Sequence, residues 1–330
     1  MYTLEMKASK NLKNKSVVKK SQMKKNSLNE ILLIDHTTKK NIIWANKNYE
    51  KYGWKYNEES EIRPELLIVG SKEIIQPRVY KNKEIKNNRT KQMAEVFTPS
   101  WICNKQNNLI DNEFFGYKNS FNHETENGWT KTKKVDFKNK NWKEYIDLER
   151  LEITCGEAPY LTSRYDSVTG EIIKPLDRIG LLDRKLRVIF ENVDTDKDFL
   201  KYSFLALKRT YGFDFQGDNV LLARNNLLQT FVEFYIEKFS KKPTLASLKK
   251  AAKIISWNIF QMDGLKYVVP FSCNRNKIIQ DSLFGDPVEE IIFCLGCMRN
   301  DSHKHKGQYA KIKDWRLNKI IRFIDLLDKE

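Results

Sequence analysis

The stretch from Leu151 to Leu161 has the residue types of a ligand-binding turn. Leu151–Thr154 has the composition of a short strand, Cys155 and Gly156 follow it, and Pro159 stands where we expect a helix to begin. In open α/β sheets, ligands bind beyond the carboxyl ends of strands, and a glycine lets them approach the backbone closely. The pattern therefore predicts a ligand-binding loop, although a strand followed by one glycine is also common without a ligand.

Two cysteines and two histidines near the carboxyl terminus are candidate metal ligands. Cys294 and Cys297 form a CxxC motif, and His303 and His305 follow. Zinc takes four thiolate and imidazole ligands of this kind tetrahedrally. The cysteine pair and the histidine pair are close together in the sequence, and His-x-His is not the usual spacing of zinc ligands. The alternative is that these residues bind no metal and are structural or solvent-exposed. The five cysteines of the chain are an odd number, thinly spread, which argues against a secreted disulfide scaffold.

Other catalytic signatures are absent from the sequence. It contains no P-loop, no G-x-G-x-x-G, no G-x-S-x-G and no H-E-x-x-H, and it has only 4 histidines. The charged run between Asp177 and Arg187 predicts a charged helix face, with Arg184 and Lys185 as alternative phosphate contacts. No cluster of carboxylates and lysine favours a nuclease.

The charge balance predicts a polyanionic partner. The 330 residues carry 59 Lys and Arg against 43 Asp and Glu, a formal net charge of +16. A basic chain of this kind attracts nucleic acid, so we expect DNA contact; the alternative is a lysine-rich composition without a phosphate-binding surface. The hydrophobic share of 40% is enough for a core. Because the longest apolar runs are far below the roughly 20 residues of a membrane helix, we expect a cytoplasmic protein without a membrane partner.

The pattern of elements predicts an α/β fold. Short strands are expected at 31–34, 42–45, 151–154, 212–215, 258–261 and 291–294, an extended segment at 73–80, and helices at 46–54, 198–208, 221–239 and 245–255. Residues 81–93 have the composition of a linker or DNA-facing loop. Strands that alternate with helices of this length indicate parallel βαβ units in a doubly wound sheet.

The order of the motifs resembles one enzyme family. Phe97-Thr98-Pro99 precedes the glycine turn at Gly156, and strand ends at Asp214 and Asp263 follow. From residue 94 to 270 the chain resembles S-adenosylmethionine-dependent DNA methyltransferases that modify the exocyclic amine (N6) of adenine. Segments 89–110, 151–166, 178–187 and 211–228 look like proteins labelled restriction–modification methylase subunit M. The resemblance implies a Rossmann-like methyltransferase fold.

The resemblance also implies a set of cofactor-binding residues, namely Phe97, Thr98, Pro99, Glu152, Thr154, Gly156, Asp214 and Asp263. In this set, the Asp214 carboxylate would accept hydrogen bonds from the ribose hydroxyls of the cofactor. Asp263 would accept a hydrogen bond from its adenine amine. The alternatives are a solvated strand-end residue for Asp214 and a turn-forming Asp-Gly pair for Asp263. Phe97–Pro99 would close over the methionine end, or form an ordinary strand-to-turn transition.

The chain departs from the family pattern in two places. Glu152 replaces the first acidic residue of the glycine motif and Ala158-Pro159 replaces its second glycine, while the catalytic Asn/Asp-Pro-Pro-aromatic tetrapeptide is absent from the sequence. That tetrapeptide holds the flipped adenine. The expected protein is thus an adenine-specific DNA methyltransferase, with a separate restriction or specificity subunit as a possible partner. The alternative is a catalytically degenerate, basic DNA-binding accessory protein.

The expected organisation has four parts. Residues 1–27 form a disordered basic arm, 28–93 a smaller N-terminal α+β region, 94–290 the methyltransferase-like domain, and 291–330 a C-terminal segment with the CxxC motif and a basic tail.

Overall fold

The architecture is taken from a computed structural model of the chain. It describes residues 27–327 except 82, 94, 97, 274–275, 281–287 and 293. Nearly all of the predicted basic arm and Phe97 of the predicted cofactor site therefore lie outside the described residues.

The described chain is mixed α/β. Its helices are α1 (27–33), α2 (Lys83–Met93), α3 (Ser100–Phe115), α4 (Trp142–Asp147), α5 (Leu181–Asn192), α6 (Asp196–Lys208), α7 (Gly217–Phe239), α8 (Leu245–Asn258) and α9 (Leu295–Arg299). Its strands are β1 (Ile68–Val69), β2 (Lys72–Glu73), β3 (Asn122–Glu124), β4 (Trp129–Lys131), β5 (Arg150–Glu152), β6 (Thr210–Asp214), β7 (Ile259–Gln261), β8 (Asn276–Gln280), β9 (Val288–Ile292), β10 (Lys311–Asp314) and β11 (Lys319–Arg322). Within the described residues, no helix has both the length and the apolar character needed to cross a bilayer.

A three-stranded parallel sheet, in the order β5-β6-β7, brings the predicted motifs together. Glu152 pairs with Gly212, and Asp214 pairs with Gln261, so the carboxyl ends of the three strands lie at one edge. Helices α5 and α6 connect β5 to β6, and α7 and α8 connect β6 to β7. The predicted helices at 198–208, 221–239 and 245–255 are confirmed, as is the parallel pairing of the strands predicted at 151–154, 212–215 and 258–261. The strand predicted at 291–294 instead overlaps β9, which pairs antiparallel with β8.

Local signals position the long helices of this unit. Thr195 and Thr244 cap the first turns of α6 and α8, because their side chains accept the N–H groups of Asp198 and Ser247. Gly217 begins α7 against the N-terminal region, where a Cβ atom would overlap the carbonyl of Ile43. Only glycine permits this close approach of the two backbones.

Several predicted elements in the N-terminal region are wrong. Residues 31–33 belong to helix α1 instead of the predicted strand. The consecutive residues Leu32 and Leu33 are both buried in the same core, whereas a strand would point them to opposite faces. Residues 46–54 contain short 3₁₀ turns, and the expected linker at 81–93 is mostly helix α2. No helix begins at Pro159; the next one starts at Leu181.

Helix α2 forms against its poor amphipathic pattern because Arg89 is buried in ion pairs. The Arg89 guanidinium binds the carboxylate of Glu95, and its Nη1 lies 2.8 Å from Asp218 Oδ2. Tertiary charge pairing, rather than local propensity, therefore determines this segment.

One apolar cluster extends over most of the chain. It contains Trp44 and Ile62 from the N-terminal region together with the buried faces of α5 to α8. A second cluster packs Phe213 and Phe260 of the sheet against Ile312 and Phe323 of the C-terminal hairpin.

The charged helix face predicted between Asp177 and Arg187 is not exposed to solvent, because α5 buries its charged residues. Arg184 Nη1 binds Asp111 Oδ2 at 2.5 Å, and Arg184 Nη2 donates to Asn104 and Asn108. Lys185 donates to the carbonyls of Leu148 and Arg209, and burial lowers its pKa well below the usual range. Neither side chain is available to phosphates.

We expect Arg184→Met to lower the free energy of unfolding by about 3–5 kcal/mol, because the buried Asp111 carboxylate would lose its close cation and keep only the more distant Arg150, at 3.8 Å. Chemical denaturation measures the change. Lys131→Met is the control: it removes the exposed pair between Lys131 and Asp177, so it should cost less than about 1 kcal/mol. Equal effects of the two substitutions would contradict the importance of the buried pair.

Candidate functional site

The glycine turn and the end of β6 are in direct contact. The N–H of Gly156 donates to Asp214 Oδ2 at 2.9 Å, and the N–H of Gln216 donates to Asp214 Oδ1 at 2.8 Å. The N–H of Met262 donates to the carbonyl of Asp214, which ties the exit of β7 to the same point. The turn after β5 and the ends of β6 and β7 thus meet at one residue, Asp214.

The loop after β5 has an unusual backbone. Thr154, Gly156 and Ala158 have φ angles of 46°, 54° and 63°. Such values are strained for a β-branched or alanine residue and easy for glycine. The Glu152 carboxylate holds the loop, because it accepts the N–H groups of Tyr160 at 3.3 Å and Leu161 at 3.2 Å. The loop is therefore fixed in a conformation that local preference alone does not favour.

A cavity of about 270 Å³ opens between this loop and the end of β6. The sequence-predicted residues that line it are Thr98, Glu152, Thr154, Gly156 and Asp214. Five positions spread over more than 100 residues of sequence are thus brought to one concave surface.

Two predicted residues lie elsewhere. Pro99 precedes α3 as its N-cap residue and does not line the cavity. Asp263 also lies outside the lining: its Oδ1 accepts the N–H groups of Leu265 and Lys266, so it forms a turn. This is the alternative that the Asp-Gly sequence leaves open.

The cavity also contains residues that the motifs do not single out, namely Glu95, Val96, Ile153, Cys155, Pro159, Tyr160, Gln216 and Asn219. A signal existed for two of them, because Gln216 and Asn219 follow Asp214 directly at the turn into α7. Polar residues at that position of a parallel sheet lie where ligands bind. Ile153, Cys155, Pro159 and Tyr160 belong to the stretch from Leu151 to Leu161 that the sequence marks as a ligand-binding turn. No sequence signal distinguishes Glu95 and Val96.

Hydrogen-bond acceptors dominate the lining. Glu95, Glu152 and Asp214 contribute carboxylates. Gln216 Oε1 is buried without a hydrogen-bond partner in the described chain, and Glu95 Oε1 has none either, although Arg78 Nε lies 3.7 Å away. Because an unsatisfied buried acceptor is costly, this surface favours a ligand that brings donors or positive charge.

Burial perturbs the acids of the cavity. It raises the pKa of Asp214 to about 6, with a further contribution from the charge of Asp218, against the lowering effect of the Gln216 and Gly156 N–H groups. Burial also raises the pKa of Glu152 well above its usual range. Perturbed acids in a cleft are typical of functional sites.

A buried network positions the acidic wall. Asn219 Nδ2 lies 3.4 Å from both Asp214 Oδ1 and Glu95 Oε2, and its Oδ1 accepts from Arg89. Arg89 in turn binds Glu95 and Asp218, whose pKa falls to about 2 because the Arg89 and Lys81 charges outweigh its burial. The buried ion pair with Arg89 thereby holds Glu95 at the cavity.

A separate group of side chains has the arrangement of metal ligands. Cys273, Cys294, Cys297 and His305 place their ligand atoms within 4.8 Å of one another. All described cysteines are free thiols, and in the described residues no other group of three or more His, Cys, Asp or Glu is close enough to share an ion. The acids of the cavity therefore do not form such a group, whereas this cluster can hold a metal ion such as zinc.

The distances fit a tetrahedron. His305 Nδ1 lies 3.6 Å from the Sγ atoms of Cys273, Cys294 and Cys297, and Cys273 Sγ lies 3.9 Å from Cys294 Sγ. Zinc with bonds of about 2.3 Å to sulfur and about 2.0–2.1 Å to nitrogen separates sulfur from nitrogen by about 3.6 Å and two sulfurs by about 3.8 Å. Four protein ligands close the coordination sphere, as in structural zinc sites.

The fourth ligand differs from the sequence prediction. Cys273, 21 residues before Cys294, takes the place expected for His303, because the chain returns from Val268 to pair with Tyr309. The backbone N–H of His303 instead donates to Asp301 Oδ1 in a turn. Cys273 is not recognisable as a ligand from the sequence, because it lies far from the CxxC motif along the chain.

Neighbouring groups support the cluster. The N–H of Lys306 donates to Cys294 Sγ at 3.1 Å, and the N–H of His305 donates to the Tyr309 hydroxyl at 3.0 Å. Burial alone would raise the pKa of Cys294, but the N–H groups of Lys306 and Cys297 and the side chains of His305 and Cys273 lower it to about 6. A Cβ atom at Gly307 would meet Cys273 Sγ at 2.5 Å, so the backbone closes tightly over the cluster.

Comparison with protein-family models, with curated proteins and with solved structures finds no match to this chain. A functional assignment therefore rests on the geometry of the cavity and of the cysteine–histidine cluster.

We expect the purified full-length protein to contain about one zinc ion per chain by elemental analysis. His305→Ala should lose most of this zinc, because it removes one of the four ligands. His303→Ala is the matched control and should retain it. A wild-type protein without zinc, or equal loss in both variants, would show that the cluster is not a zinc site.

Proposed function

We propose that this chain binds S-adenosylmethionine in the cavity between the Gly156 loop and Asp214, as a DNA methyltransferase-type protein of a restriction–modification system. The observation that carries the proposal is the acceptor-rich lining at the carboxyl edge of a parallel sheet, with the Asp214 carboxylate bound to the Gly156 N–H. A ligand at this edge follows the rule for open α/β sheets.

The strand order is compatible with the proposed fold. The order β7-β6-β5, with helices between successive strands, corresponds to the 3-2-1 half of a doubly wound sheet. The Gly156 loop then occupies the ligand-binding turn after the first strand. A doubly wound, Rossmann-like sheet is accordingly part of the proposal.

The chemistry of the lining fits this cofactor. S-adenosylmethionine carries a sulfonium, an ammonium group, two ribose hydroxyls and an adenine amine, which are cations or donors, and one carboxylate, so its positive charges outnumber its negative charge. Asp214 and Gln216 would hold the ribose, and Glu95 would face the positive methionine portion. Val96 and Ile153, which are 75% and 66% exposed, would cover the flat adenine ring. The carboxylates of Glu95 and Asp214 disfavour a nucleotide with several phosphates, because like charges repel.

When bound, S-adenosylmethionine supplies a methyl group on a positively charged sulfur. The chain's own part is to orient this group: the fixed Gly156 loop and the network of Asn219, Glu95 and Arg89 hold the acceptors in place before the ligand arrives. Acceptors fixed in this way lose little entropy on binding.

The chain lacks the sequence motif that would position the target adenine for methyl transfer. The methyl acceptor must be held in line with the sulfur, and the sequence lacks the Asn/Asp-Pro-Pro-aromatic tetrapeptide that would do so. A second chain would then have to supply this group for adenine N6 methylation. The same absence favours the second candidate function, a DNA-binding accessory protein that keeps the cofactor site without catalysis.

We expect isothermal titration of the full chain with S-adenosylmethionine to show one binding site. Asp214→Asn should weaken binding on the order of 100-fold, because it replaces a buried carboxylate at the loop contact. Asp263→Asn makes the same chemical change at the neighbouring strand end, outside the cavity lining, and should leave the dissociation constant unchanged.

A second variant keeps the test informative if Asp214→Asn does not fold. Gln216→Met removes an oxygen that has no hydrogen-bond partner in the described chain, so the fold should tolerate it while affinity falls about tenfold. No binding to the wild-type chain would overturn the proposal. If binding occurs but DNA from expressing cells carries no new methyladenine, the accessory function is favoured.

We also expect the affinity for S-adenosylmethionine to rise with pH. The folded-state pKa of Asp214 is about 6, above the unfolded value of 3.8. Protonated Asp214 accepts hydrogen bonds from the ribose hydroxyls less well than the carboxylate does, so affinity should increase by up to about tenfold per pH unit below pH 6 and level off above it. Stability should change in the opposite sense, falling as pH rises from about 4 to about 6. Titrations between pH 5 and 8 measure the first effect, and Asp214→Asn should remove the step near pH 6.

A further inference from the structure

Five lysines from four separate segments converge on one surface, which we call the lysine surface. Its members are Lys39 of the N-terminal turn, Lys208 at the end of α6, Lys250 and Lys253 of α8, and Lys313 of β10. They are separated by up to 274 positions in the sequence, so no local charge run predicts this group.

The surface is organised around two indole rings. Lys208 Nζ lies 5.2 Å and Lys313 Nζ 4.6 Å from the centre of the Trp315 ring, so the two ammonium groups are at most about 10 Å apart. Trp315 is fixed because its Nε1 donates to Asn258 Oδ1 at 2.7 Å. The adjacent Trp257 ring stacks on His36 at 3.8 Å, with Lys39 Nζ 5.8 Å from its centre.

None of the five lysines forms an ion pair with a carboxylate in the described part of the chain. The nearby acids Asp147 and Glu149 are already paired with Arg209 and Arg316. The carboxylate of Asp314 accepts the N–H groups of Arg316 and Leu317 in a turn. Within the described residues, the ammonium groups of the lysine surface are therefore not neutralised by ion pairs.

The charges on this surface repel one another. Burial lowers the pKa of Lys208, and Lys250, Arg209 and Lys313 lower it further. The pKa of His36 falls to about 3, first through burial and then through Arg224 and the charges of Lys39, Lys253 and Lys313. The Trp315 and Trp257 sides are adjacent, because Trp315 binds Asn258, the residue after Trp257, and the Lys311 N–H of β10 donates to Thr37 Oγ1 beside His36.

The lysine surface lies at the opposite edge of the sheet from the cavity. Lys208 precedes β6, Asn258 precedes β7, and the Tyr211 hydroxyl donates to the Lys313 carbonyl at 3.3 Å. These residues are at the amino ends of the strands, whereas the cavity opens at the carboxyl ends. The two features are therefore distinct sites.

We propose that the lysine surface binds the phosphate backbone of duplex DNA. Ammonium groups without internal partners, spaced around fixed aromatic rings, match a regular array of phosphates, and release of counterions supplies the free energy. This inference rests on the proposed function for DNA as the partner but does not require S-adenosylmethionine to bind. Contact through phosphates implies little sequence preference, so this surface would hold DNA while another part of the assembly selects the site.

The test compares the full chain with the variant Lys208→Gln, Lys250→Gln and Lys313→Gln. Binding to a labelled random-sequence duplex of about 30 base pairs is measured by fluorescence anisotropy over a range of salt concentrations. The variant should bind on the order of 100-fold more weakly near 0.1 M salt, and the slope of log affinity against log salt should fall by about 2.7, because about 0.9 counterions are released per phosphate contact. Both chains keep the lysine-rich first 26 residues, so the difference reports the surface alone.

The control variant neutralises three exposed lysines elsewhere: Lys72→Gln, Lys174→Gln and Lys242→Gln. This control has the same net charge as the lysine-surface variant. It should nevertheless keep most of the wild-type affinity for the duplex and most of the slope of log affinity against log salt. Equal losses in the two triple variants, or a preference of the wild-type chain for RNA or an acidic polypeptide over the duplex, would overturn the proposal. Titration with S-adenosylmethionine should be unchanged in the lysine-surface variant, so failure of this inference and failure of the cofactor proposal are distinguishable.

Discussion

The Asp214 carboxylate is the point on which the candidate cavity depends. It accepts the N–H groups of Gly156 and Gln216, and the Asp214 carbonyl receives the N–H of Met262. One residue thereby joins the turn after β5, the start of α7 and the exit of β7. Because both oxygens are engaged and buried, the geometry of the loop follows from satisfying this acid.

Buried charge pairs organise the protein around that point. Arg89 binds Glu95 and Asp218 below the cavity, and Arg184 binds Asp111 between α3 and α5. Pairs of this kind add little stability in themselves but are costly to leave incomplete, so they specify which segments must meet. Helix α2 is the clearest case, since its sequence has no apolar stripe and Arg89 decides where it packs.

The three regions that could act on ligands differ in the kind of attraction they offer. The cavity presents acceptors, the cysteine–histidine cluster presents soft metal ligands, and the lysine surface presents cations. The cluster ties Cys273 to the segment from Cys294 to His305, next to the hairpin that carries Lys313 and Trp315. A metal in the cluster would therefore stabilise the part of the chain that forms one side of the lysine surface.

The sequence by itself determined the parts that depend on local pattern. Apolar periodicity indicates α6, α7 and α8, alternation of strands with helices indicates the parallel sheet, and a glycine after a strand marks the cavity loop. Only the tertiary structure decided which distant residues meet. It placed Cys273 in the cluster instead of His303, put Asp263 in a turn, buried Arg184 and Lys185, and gathered Glu95 and Gln216 around Asp214. The physical reason is that helix and strand periodicity act over a few residues, whereas ion pairs, metal ligands and cavity walls join groups far apart in the chain.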